Sequence, residues 1–481
     1  MSRTRTATGV TPAARQNSGR RASLATWLQR WSWRNLRIAS GLQEYLRRRF
    51  TPAGQTVLAG TMAAGLFGLD TRITAAHQAF ALGGALLLVA AAGTRRPASS
   101  LQARRRLPRH ATVGQPCRYR LRVVNAGRRS ARDLDICERL PDPRPDLASF
   151  LASRAPVEAG VNPVERLFGY ARWEWLVRRA RRAEPQRPVP LADIPSGGSI
   201  ELQMTMTPLR RGWLRLDALV AARSDVLGLM RRETPLAGGD RVLVLPRRYP
   251  LRPLPPPGRR RLQPGGVSRA STVGESQEFI GLRDYLPGDS PRHIHWAAWA
   301  RCGEPVVKEY QDEYFSRQAL VLDSFIGDDG AREAAFECAV SVAASLVEPL
   351  TATAGAQDRL LDLIFVADHA HAITGGRGVL STDVLLELLA CLVPKRCEDF
   401  SPLSQTVIAQ TAQLSACLCV LLTWDPPRQA LVARMRAFGV PVTVLLLQQR
   451  TDAALGPDPM TNGARLLLVD PADPAPALAS L

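Results

Sequence analysis

Two apolar runs separated by only three residues constrain this chain more than any other feature. The first runs from Ala53 to Leu69 and the second from Ile73 to Gly93. About 20 apolar residues are enough to cross a bilayer as a helix, and about 17 is the lower limit. Because three residues leave room only for a tight turn, the pattern predicts a transmembrane helical hairpin over residues 51–95.

Arginines flank the hairpin on both sides and indicate its orientation. Residues 1–50 hold eleven arginines and one acidic residue, Glu44, and six more arginines lie within 95–109. Since positively charged flanks stay in the cytoplasm, both ends of the hairpin are expected there. We therefore predict a two-pass protein of the inner (cytoplasmic) membrane with cytoplasmic N- and C-termini. The basic cytoplasmic segment 1–50 would face an anionic membrane. A helical hairpin buried in a soluble protein is the alternative.

The net charge of +20 makes nucleic acid a second possible anionic partner. An arginine-rich nucleic-acid-binding protein is therefore one alternative function, and salt-sensitive retention of the basic segment on DNA would identify it. Since much of the charge excess flanks the apolar runs, we expect an anionic membrane as partner and no specific nucleic acid.

Residues 100–249 have the pattern of a small β-sandwich. Apolar and polar residues alternate in Val113–Asn125 and again in Ile200–Met206, and turn-forming residues follow the first of these runs. Short alternating strands bounded by turns are typical of an antiparallel β-sandwich-like domain.

A helical insertion at residues 145–195 interrupts this domain. Asn162 can cap a helix that has Pro163 at its first position and continues to about Glu184. Its aromatic residues lie beside arginines, which suits a helix at a membrane surface. A helix packed on the sandwich with a solvated basic end is the alternative.

The rest of the chain predicts a linker and an α/β domain. Residues 250–264 are rich in proline and form a semi-rigid linker. Residues 265–481 alternate apolar strands with amphipathic helices, which indicates a doubly wound, mostly parallel α/β sheet. Ligands of such sheets bind at the carboxyl ends of the strands. Asp323 and Asp425 each follow a strand, so they are candidate metal ligands and, in an alternative function, the acids of a metal-dependent hydrolase.

A polar and aromatic motif stands at the start of this domain, over residues 281–301. Gly288 and Asp289 predict a turn, and Ser290 with Pro291 predicts the start of a helix. Arginine and tryptophan are the preferred anchors of protein interfaces. The motif is therefore either a structural clasp of ion pairs or a surface for docking a partner. Its candidate residues are Arg283, Tyr285, Gly288, Asp289, Arg292, Trp296 and Arg301.

The same motif resembles the signature of the DUF58 family, which is roughly Arg-x-Tyr, Gly-Asp, Arg-x-Ile-x-Trp and Ala-Arg. The similarity extends to Arg211-Gly212 and to Ser224–Leu229. It implies a membrane-tethered protein with a sandwich-like region and a von Willebrand factor A-like domain. It also implies a MoxR-type AAA+ ATPase as partner, in the assembly or activation of envelope or metabolic complexes. No enzymatic activity is established for the family as a class.

The resemblance also bears on magnesium. In metal-binding von Willebrand factor A domains the first strand ends in Asp-x-Ser-x-Ser, but here Asp323 is followed by Phe325 and Gly327 at the serine positions. We therefore expect no metal and no cofactor, with Mg²⁺ at Asp323 and Asp425 as a marginal case. The sequence as a whole predicts a non-enzymatic, membrane-anchored scaffold that binds protein partners.

Overall fold

A computed structural model gives the fold as two compact units, residues 1–245 and 246–481. Each unit has its own sheets and its own hydrophobic core. The structure describes residues 12–67, 74–94, 100–153, 160, 162–251, 278–289, 291–311, 316–327, 332–351, 359–367, 369–375, 380–397, 399–448 and 465–481.

Three helices open the first unit: α1 (Pro12–Arg49), α2 (Pro52–Phe67) and α3 (Thr74–Gly93). Helices α2 and α3 pack against each other, as a helical hairpin requires, whereas the predicted turn at residues 70–72 lies outside the described residues. At 1.5 Å per residue the 20 residues of α3 span about 30 Å, the thickness of a hydrocarbon core. The 16 described residues of α2 span about 24 Å, and the last two residues of the predicted first span, 68–69, lie outside the described residues.

Within the described residues, a stretch inside α3, Ala75–Gly93, is long and apolar enough to cross a membrane, and it is mostly exposed. A helix of the second unit, Glu333–Thr351, passes the same test, but most of it is buried inside the protein. Because core helices of soluble proteins can be equally apolar, only the first of the two is a candidate span.

Two sheets form the rest of the first unit. One has the order β1-β3-β6, and the other has the order β2-β8-β7-β4-β5. All their pairings are antiparallel except that of β2 with β8. The strands are β1 (Leu101–Arg106), β2 (His110–Thr112), β3 (Cys117–Asn125), β4 (Leu134–Arg139), β5 (Val189–Leu191), β6 (Ser199–Met206), β7 (Gly212–Ser224) and β8 (Arg231–Leu245).

Both sheets contribute to one core, as the alternating sequence predicts. In β3 the residues Cys117, Tyr119, Leu121 and Val123 are buried, and the residues between them are exposed or half-buried. Leu214 and Leu216 of β7, in the other sheet, belong to the same cluster. A sandwich-like β domain is therefore present between residues 100 and 249.

The insertion differs from the single helix predicted from Asn162 to Glu184. It forms α4 (Leu147–Ala152), α5 (Pro163–Phe168) and α6 (Tyr170–Ala180). Asn162 accepts a hydrogen bond from Val164 N, so the predicted cap is present. The helix breaks at Gly169, whose φ of 66° is left-handed and favours glycine.

The loop between β7 and β8 docks against the base of the hairpin. Thr51 N donates a hydrogen bond to the Leu229 carbonyl oxygen (3.0 Å), and Asp225 accepts one from Met230 N (2.6 Å). Leu229 and Met230 pack with Ala90 of α3 in a small apolar cluster. The segment Ser224–Leu229 therefore ties the sandwich to α2 and α3.

Gly54 makes this docking possible, and its replacement by alanine is expected to loosen it. A Cβ on Gly54 would lie 1.8 Å from the Leu229 carbonyl oxygen, so α2 must move away from the loop. Overpacking costs about 1–3 kcal/mol, which predicts roughly tenfold faster hydrogen exchange at the Met230 amide. Hydrogen-exchange mass spectrometry of the solubilised protein measures this.

Gly60→Ala is the matched control, because a Cβ there meets no atom within 4 Å. Alanine is otherwise the better helix former by about 1 kcal/mol, so the control should be neutral or stabilising. Equal exchange at Met230 in both variants would contradict the close packing at Gly54.

The second unit contains a short ribbon and a six-stranded sheet. The ribbon strands are β9 (Glu278–Asp284) and β10 (Val306–Gln311), with α7 (Trp296–Cys302) between them. The remaining elements are β11 (Ser316–Leu322), α8 (Glu333–Thr351), β12 (Arg359–Val366), β13 (Ala370–Gly375), α9 (Thr382–Cys391), α10 (Ser401–Gln410), β14 (Ala416–Leu421), α11 (Pro426–Ala437), β15 (Val442–Leu447), β16 (Arg465–Val469) and α12 (Ala475–Ala479).

The large sheet has the order β13-β12-β11-β14-β15-β16 and is parallel except for β13. The order reverses between β11 and β14, where open α/β sheets bind their ligands. Helices α10 and α11 share a buried cluster with the strands, and α8 contacts β11, β12 and β14. The predicted mixed α/β unit is therefore present, whereas most of the predicted 250–264 linker lies outside the described residues.

Candidate functional site

The motif at residues 281–301 folds on the β9–β10 ribbon. Arg283 lies on β9 and donates two hydrogen bonds to the Asp289 carboxylate, from Nη1 to Oδ2 and from Nη2 to Oδ1, both 2.7 Å long. Paired contacts of this kind are among the stronger hydrogen bonds in proteins. The Arg283 hydrogen bonds, with a further one from Leu286 N, lower the pKa of Asp289 below its ordinary value.

The turn that carries Asp289 is closed by the backbone. Asp289 N donates to the Leu286 carbonyl oxygen (3.0 Å), and Gly288 has a φ of 115°, which favours glycine. Tyr285 N donates to the Pro305 carbonyl oxygen (2.9 Å), which holds the turn to the start of β10. The predicted turn at Gly288 and Asp289 is therefore present, with Arg283 as its partner.

The helix of the motif begins later than predicted. Pro291–His293 forms a single 3₁₀ turn, and α7 starts at Trp296. His295 caps α7, because its Nδ1 accepts a hydrogen bond from Ala298 N (3.0 Å). The predicted cap Ser290 lies outside the described residues.

Three large apolar side chains of this motif are exposed. We call Leu282, Leu286 and Trp296 the apolar patch; their exposed fractions are 46%, 61% and 63%. Trp296 stacks on Trp299 with 5.4 Å between ring centroids. Arg292 and Arg301 are exposed within the same segment. Of the predicted ion pairs, the structure shows that of Arg283 with Asp289 among the described residues, and the wider clasp of ion pairs stays a prediction.

The second candidate site lies where the order of the large sheet reverses. Asp323 follows β11, and Asp425 follows β14 and caps α11 by accepting a hydrogen bond from Arg428 N (3.2 Å). The Arg428 side chain joins the two acids. Its Nε and Nη2 donate to Asp323 (2.7 and 3.1 Å), and its Nη1 donates to Asp425. The two acids therefore meet at the carboxyl ends of the central strands, as the sequence predicts, with the Arg428 guanidinium between them.

Arg428 and Asp323 are both buried, with exposed fractions of 3% and 0%. The Arg428 guanidinium also lies over the Phe400 ring, 4.5 Å from its centroid. Burial alone would lower the pKa of Arg428, but the hydrogen bonds and negative charges of Asp323 and Asp425 outweigh it and raise the pKa. The guanidinium therefore stays charged and neutralises one of the two carboxylates.

This arrangement does not fit a divalent cation. Besides Arg428, the backbone N–H groups of Phe325 and Leu422 each donate to Asp323 at 3.1 Å. A carboxylate accepts about four hydrogen bonds, so Asp323 has no free lone pair for a metal. Ser324 turns away and donates its hydroxyl proton to the Val366 carbonyl oxygen (2.6 Å). A cation at this edge would also be repelled by the Arg428 charge.

The described residues contain no group of three or more His, Cys, Asp or Glu side chains that could hold a metal ion. His369 and His371 come nearest, with 4.1 Å between their ring centroids, but they form a pair only.

Arg428, which decides the chemistry at these strand ends, was not among the residues predicted from the sequence. A basic residue in the first turn of a helix opposes the helix dipole, so it needs a compensating acid nearby. Arg428 stands three residues after Asp425 in such a turn. That placement was the available signal.

Comparison with known proteins agrees with the motif. Residues 281–409 match the family described as "Protein of unknown function DUF58". The chain carries a DUF58 region. This region begins within β9 and ends in α10, so it includes the Arg283–Asp289 pair, the apolar patch and Asp323, whereas Asp425 and Arg428 lie outside it.

One relative and two solved structures complete the comparison. The chain is 26% identical over 153 residues to the "Uncharacterized protein YeaD" of Bacillus subtilis (strain 168). The matched residues make up 31% of this chain and 36% of that protein. The CARDB domain of PF1109 from Pyrococcus furiosus is 10% identical to this chain. The match covers 30% of this chain and 94% of that chain, with a TM-score of 0.17. The GH20 exo-β-N-acetylglucosaminidase of Vibrio harveyi is 9% identical over 72% of this chain and 57% of that chain, with a TM-score of 0.15. TM-scores this low carry no argument.

Proposed function

We propose that this protein is a membrane-anchored, non-enzymatic adaptor that binds a protein partner through the apolar patch of its DUF58 region. The observation that carries the proposal is the patch itself. Leu282, Leu286 and Trp296 are each about half exposed or more, and the same segment holds the exposed Arg292 and Arg301. Exposed tryptophan and arginine on a rigid framework are typical anchors of protein interfaces.

The framework beneath the patch supports this role. Arg283 and Asp289 fix the turn that carries Leu286, and Val307 of β10, the cross-strand neighbour of Arg283, is buried. Such a surface loses little conformational entropy on binding, because its backbone is ordered beforehand. In this proposal the Arg283–Asp289 pair positions the patch rather than contacting the partner.

Helix α3 supports the membrane anchor. It is apolar, mostly exposed and about 30 Å long, and arginine-rich segments flank the α2–α3 hairpin. In the proposal both helices enter the inner membrane from the cytoplasm and return, so both units lie in the cytoplasm.

The α/β unit is proposed to be von Willebrand factor A-like, with Arg428 in the position of a metal ion. A hydrolase that uses Asp323 and Asp425 with a metal is disfavoured, because the guanidinium and two backbone N–H groups already use the Asp323 oxygens. A partner would then be bound without a bridging metal.

The resemblance to DUF58 proteins makes a MoxR-type AAA+ ATPase the proposed partner class. Its role would be the assembly or activation of envelope or metabolic complexes. The chemistry of the patch asks for a complementary apolar surface with acidic residues, which would pair with Arg292 and Arg301.

Replacing both Leu286 and Trp296 by serine is expected to abolish recovery of the partner. Removal of one hot-spot side chain costs about 2 kcal/mol, roughly a thirtyfold loss of affinity. The full chain would be affinity-purified in mild detergent from its own cells, and the co-purified ATPase quantified by mass spectrometry.

Val393→Ser is the matched control, since Val393 is exposed (69%) in the same unit but lies outside the patch. It should leave recovery of the ATPase unchanged. Equal recovery with the patch variant and with the control would overturn the patch as the interface. Absence of any AAA+ ATPase from native preparations would overturn the partner class.

A further inference from the structure

Helix α1 presents one apolar face that no described element covers. Five large side chains on it are about half exposed or more: Trp27 (59%), Trp31 (48%), Ile38 (58%), Leu42 (56%) and Tyr45 (60%). Their spacings of four, seven, four and three residues place them within an arc of about 60° around the helix. We call these five residues the α1 stripe.

The opposite face of α1 is occupied by protein. Ser32 Oγ donates to the Phe168 carbonyl oxygen, and Trp33 Nε1 donates to the Pro145 carbonyl oxygen (3.1 Å). Trp33 and Leu36 pack on a cluster that includes Phe150 of α4 and Trp173 of α6. The insertion therefore holds α1 in a fixed rotation, with the stripe turned away from the body of the unit.

Positive charge lies along the edge of the stripe. Arg30, Arg34 and Arg37 are exposed, and their helical positions lie within about 80° of Trp27. Glu44 is the single acid between Pro12 and Arg49, and it already binds Arg47 and Arg48 (both 2.7 Å). The exposed surface of α1 thus combines aromatic and aliphatic side chains with exposed arginines.

The end of α1 joins the membrane hairpin. Helix α1 ends at Arg49 and α2 begins at Pro52. Phe50, between them, packs with Ala90 and Ala91 at the end of α3 and with Met230 of the docked loop. Because the hairpin base marks the depth at which the chain enters the bilayer, the stripe starts at the level of the lipid headgroups.

We propose that α1 lies along the membrane surface, with its stripe inserted among anionic phospholipids. This inference rests on the hairpin anchor of the proposed function. Tryptophan and tyrosine favour the boundary between headgroups and acyl chains, and arginines beside them bind lipid phosphates. Continuity with the hairpin and the positive charge both favour lipid over a protein as the occupant of the stripe. The membrane contact then extends well beyond the hairpin and fixes the orientation of the first unit.

Lipid quenching of tryptophan emission tests the proposal on the full chain. The protein is reconstituted into vesicles of phosphatidylcholine and phosphatidylglycerol, with or without bromine near the headgroup end of the acyl chains. Wild type is compared with the double variant Trp27→Phe, Trp31→Phe, and the difference is the emission of those two residues. Bromine is expected to quench most of that emission. Trp33→Phe is the matched control, and emission from Trp33 should be largely unaffected, since its indole N–H is bonded to Pro145 on the opposite face.

Alkaline extraction of the same vesicles tests the hairpin anchor separately from the surface contact of α1. If Trp27 and Trp31 were unquenched in protein that resists extraction, the surface contact would be overturned and the hairpin anchor would be supported. The α1 stripe would then bind a protein partner or a second copy of the chain. Quenching in protein that alkali removes would support the surface contact and overturn the anchor. Unquenched emission in removed protein would overturn both.

Discussion

Replacing Arg428 by methionine is expected to destabilise the α/β unit by about 3–5 kcal/mol. Arg428 supplies the positive charge that compensates the fully buried Asp323. Methionine fills similar space without that charge, so the carboxylate would be left buried without a counter-ion. The urea concentration that exposes Cys417 and Cys419 to a brief pulse of alkylating reagent measures the change, because both thiols are buried in β14. Peptide mass spectrometry then reports this unit separately from the rest of the chain.

Two further variants make this test specific to the ion pair. Arg434→Met removes an exposed arginine from the same helix and should change stability by less than about 0.5 kcal/mol. Adding Asp323→Asn to Arg428→Met removes the uncompensated charge and should recover part of the loss. If Arg428→Met were no more destabilising than Arg434→Met, the guanidinium would not be what holds the two acids.

The hydrogen bonds of Arg428 with Asp323 and Asp425 suit these strand ends to a stabilising role better than to catalysis. A general acid or a metal site needs a carboxylate whose proton or lone pair is available to a reactant. Asp323 instead accepts hydrogen bonds from Arg428, Phe325 N and Leu422 N, and it has no contact with solvent. The Arg428 hydrogen bonds to Asp323 and Asp425 therefore stabilise the junction of β11, β14 and α11.

Local sequence patterns predicted much of the fold because they record burial directly. Alternation in β3 predicted a strand with one buried face, and the apolar run ending at Asp323 predicted a buried parallel strand. The meeting of Asp323 and Asp425 followed from topology, since the ends of parallel strands share one edge. The side chain between them could not be predicted in this way, because Arg428 reaches it only after α11 packs on the sheet.

Helix boundaries were predicted less well, and single residues explain why. Gly169 was read as part of a continuous helix, but its left-handed backbone ends α5 and starts α6. At the motif, Ser290 and Pro291 resembled a helix start, yet His295 became the cap. The α1 stripe was also missed, because arginines dominate residues 1–50 and hide five apolar residues at helical spacing.

The sandwich has a buried ion network of its own. Arg105 and Glu138 have no exposed side-chain surface. Arg105 donates to both oxygens of Glu138 (2.6 and 3.2 Å) and to Asp240 (2.7 Å), and Tyr119 Oη donates to Glu138 (3.1 Å). Burial raises the pKa of Glu138 above its ordinary value, although the hydrogen bonds from Arg105 and Tyr119 oppose this. Arg105 is therefore the main group that opposes the effect of burial on the pKa of Glu138.

Replacing Arg105 by methionine is expected to cost the first unit about 3–5 kcal/mol at neutral pH, and less as the pH falls. Without Arg105 the pKa of Glu138 rises further, because desolvation is no longer opposed by a positive charge. A carboxyl whose pKa is higher in the folded than in the unfolded state binds more protons when folded, so lowering the pH stabilises the fold. Pulse alkylation of the buried Cys117 and Cys137 in urea, equilibrated at several pH values and labelled at one, measures this.

The pH dependence separates a buried charge from a simple packing defect. Adding Glu138→Gln to Arg105→Met removes the titrating group, so the stability lost relative to wild type should vary less with pH than in Arg105→Met alone. Tyr119→Phe should cost less, about 1 kcal/mol for each hydrogen bond lost, because it removes the hydrogen bonds of the hydroxyl to Glu138 and Gln186 and leaves Arg105 in place. A loss that is equally large at pH 5 and pH 8 in Arg105→Met would contradict an ionised Glu138 in the core. It would assign the effect to packing of the arginine side chain against the sheets instead.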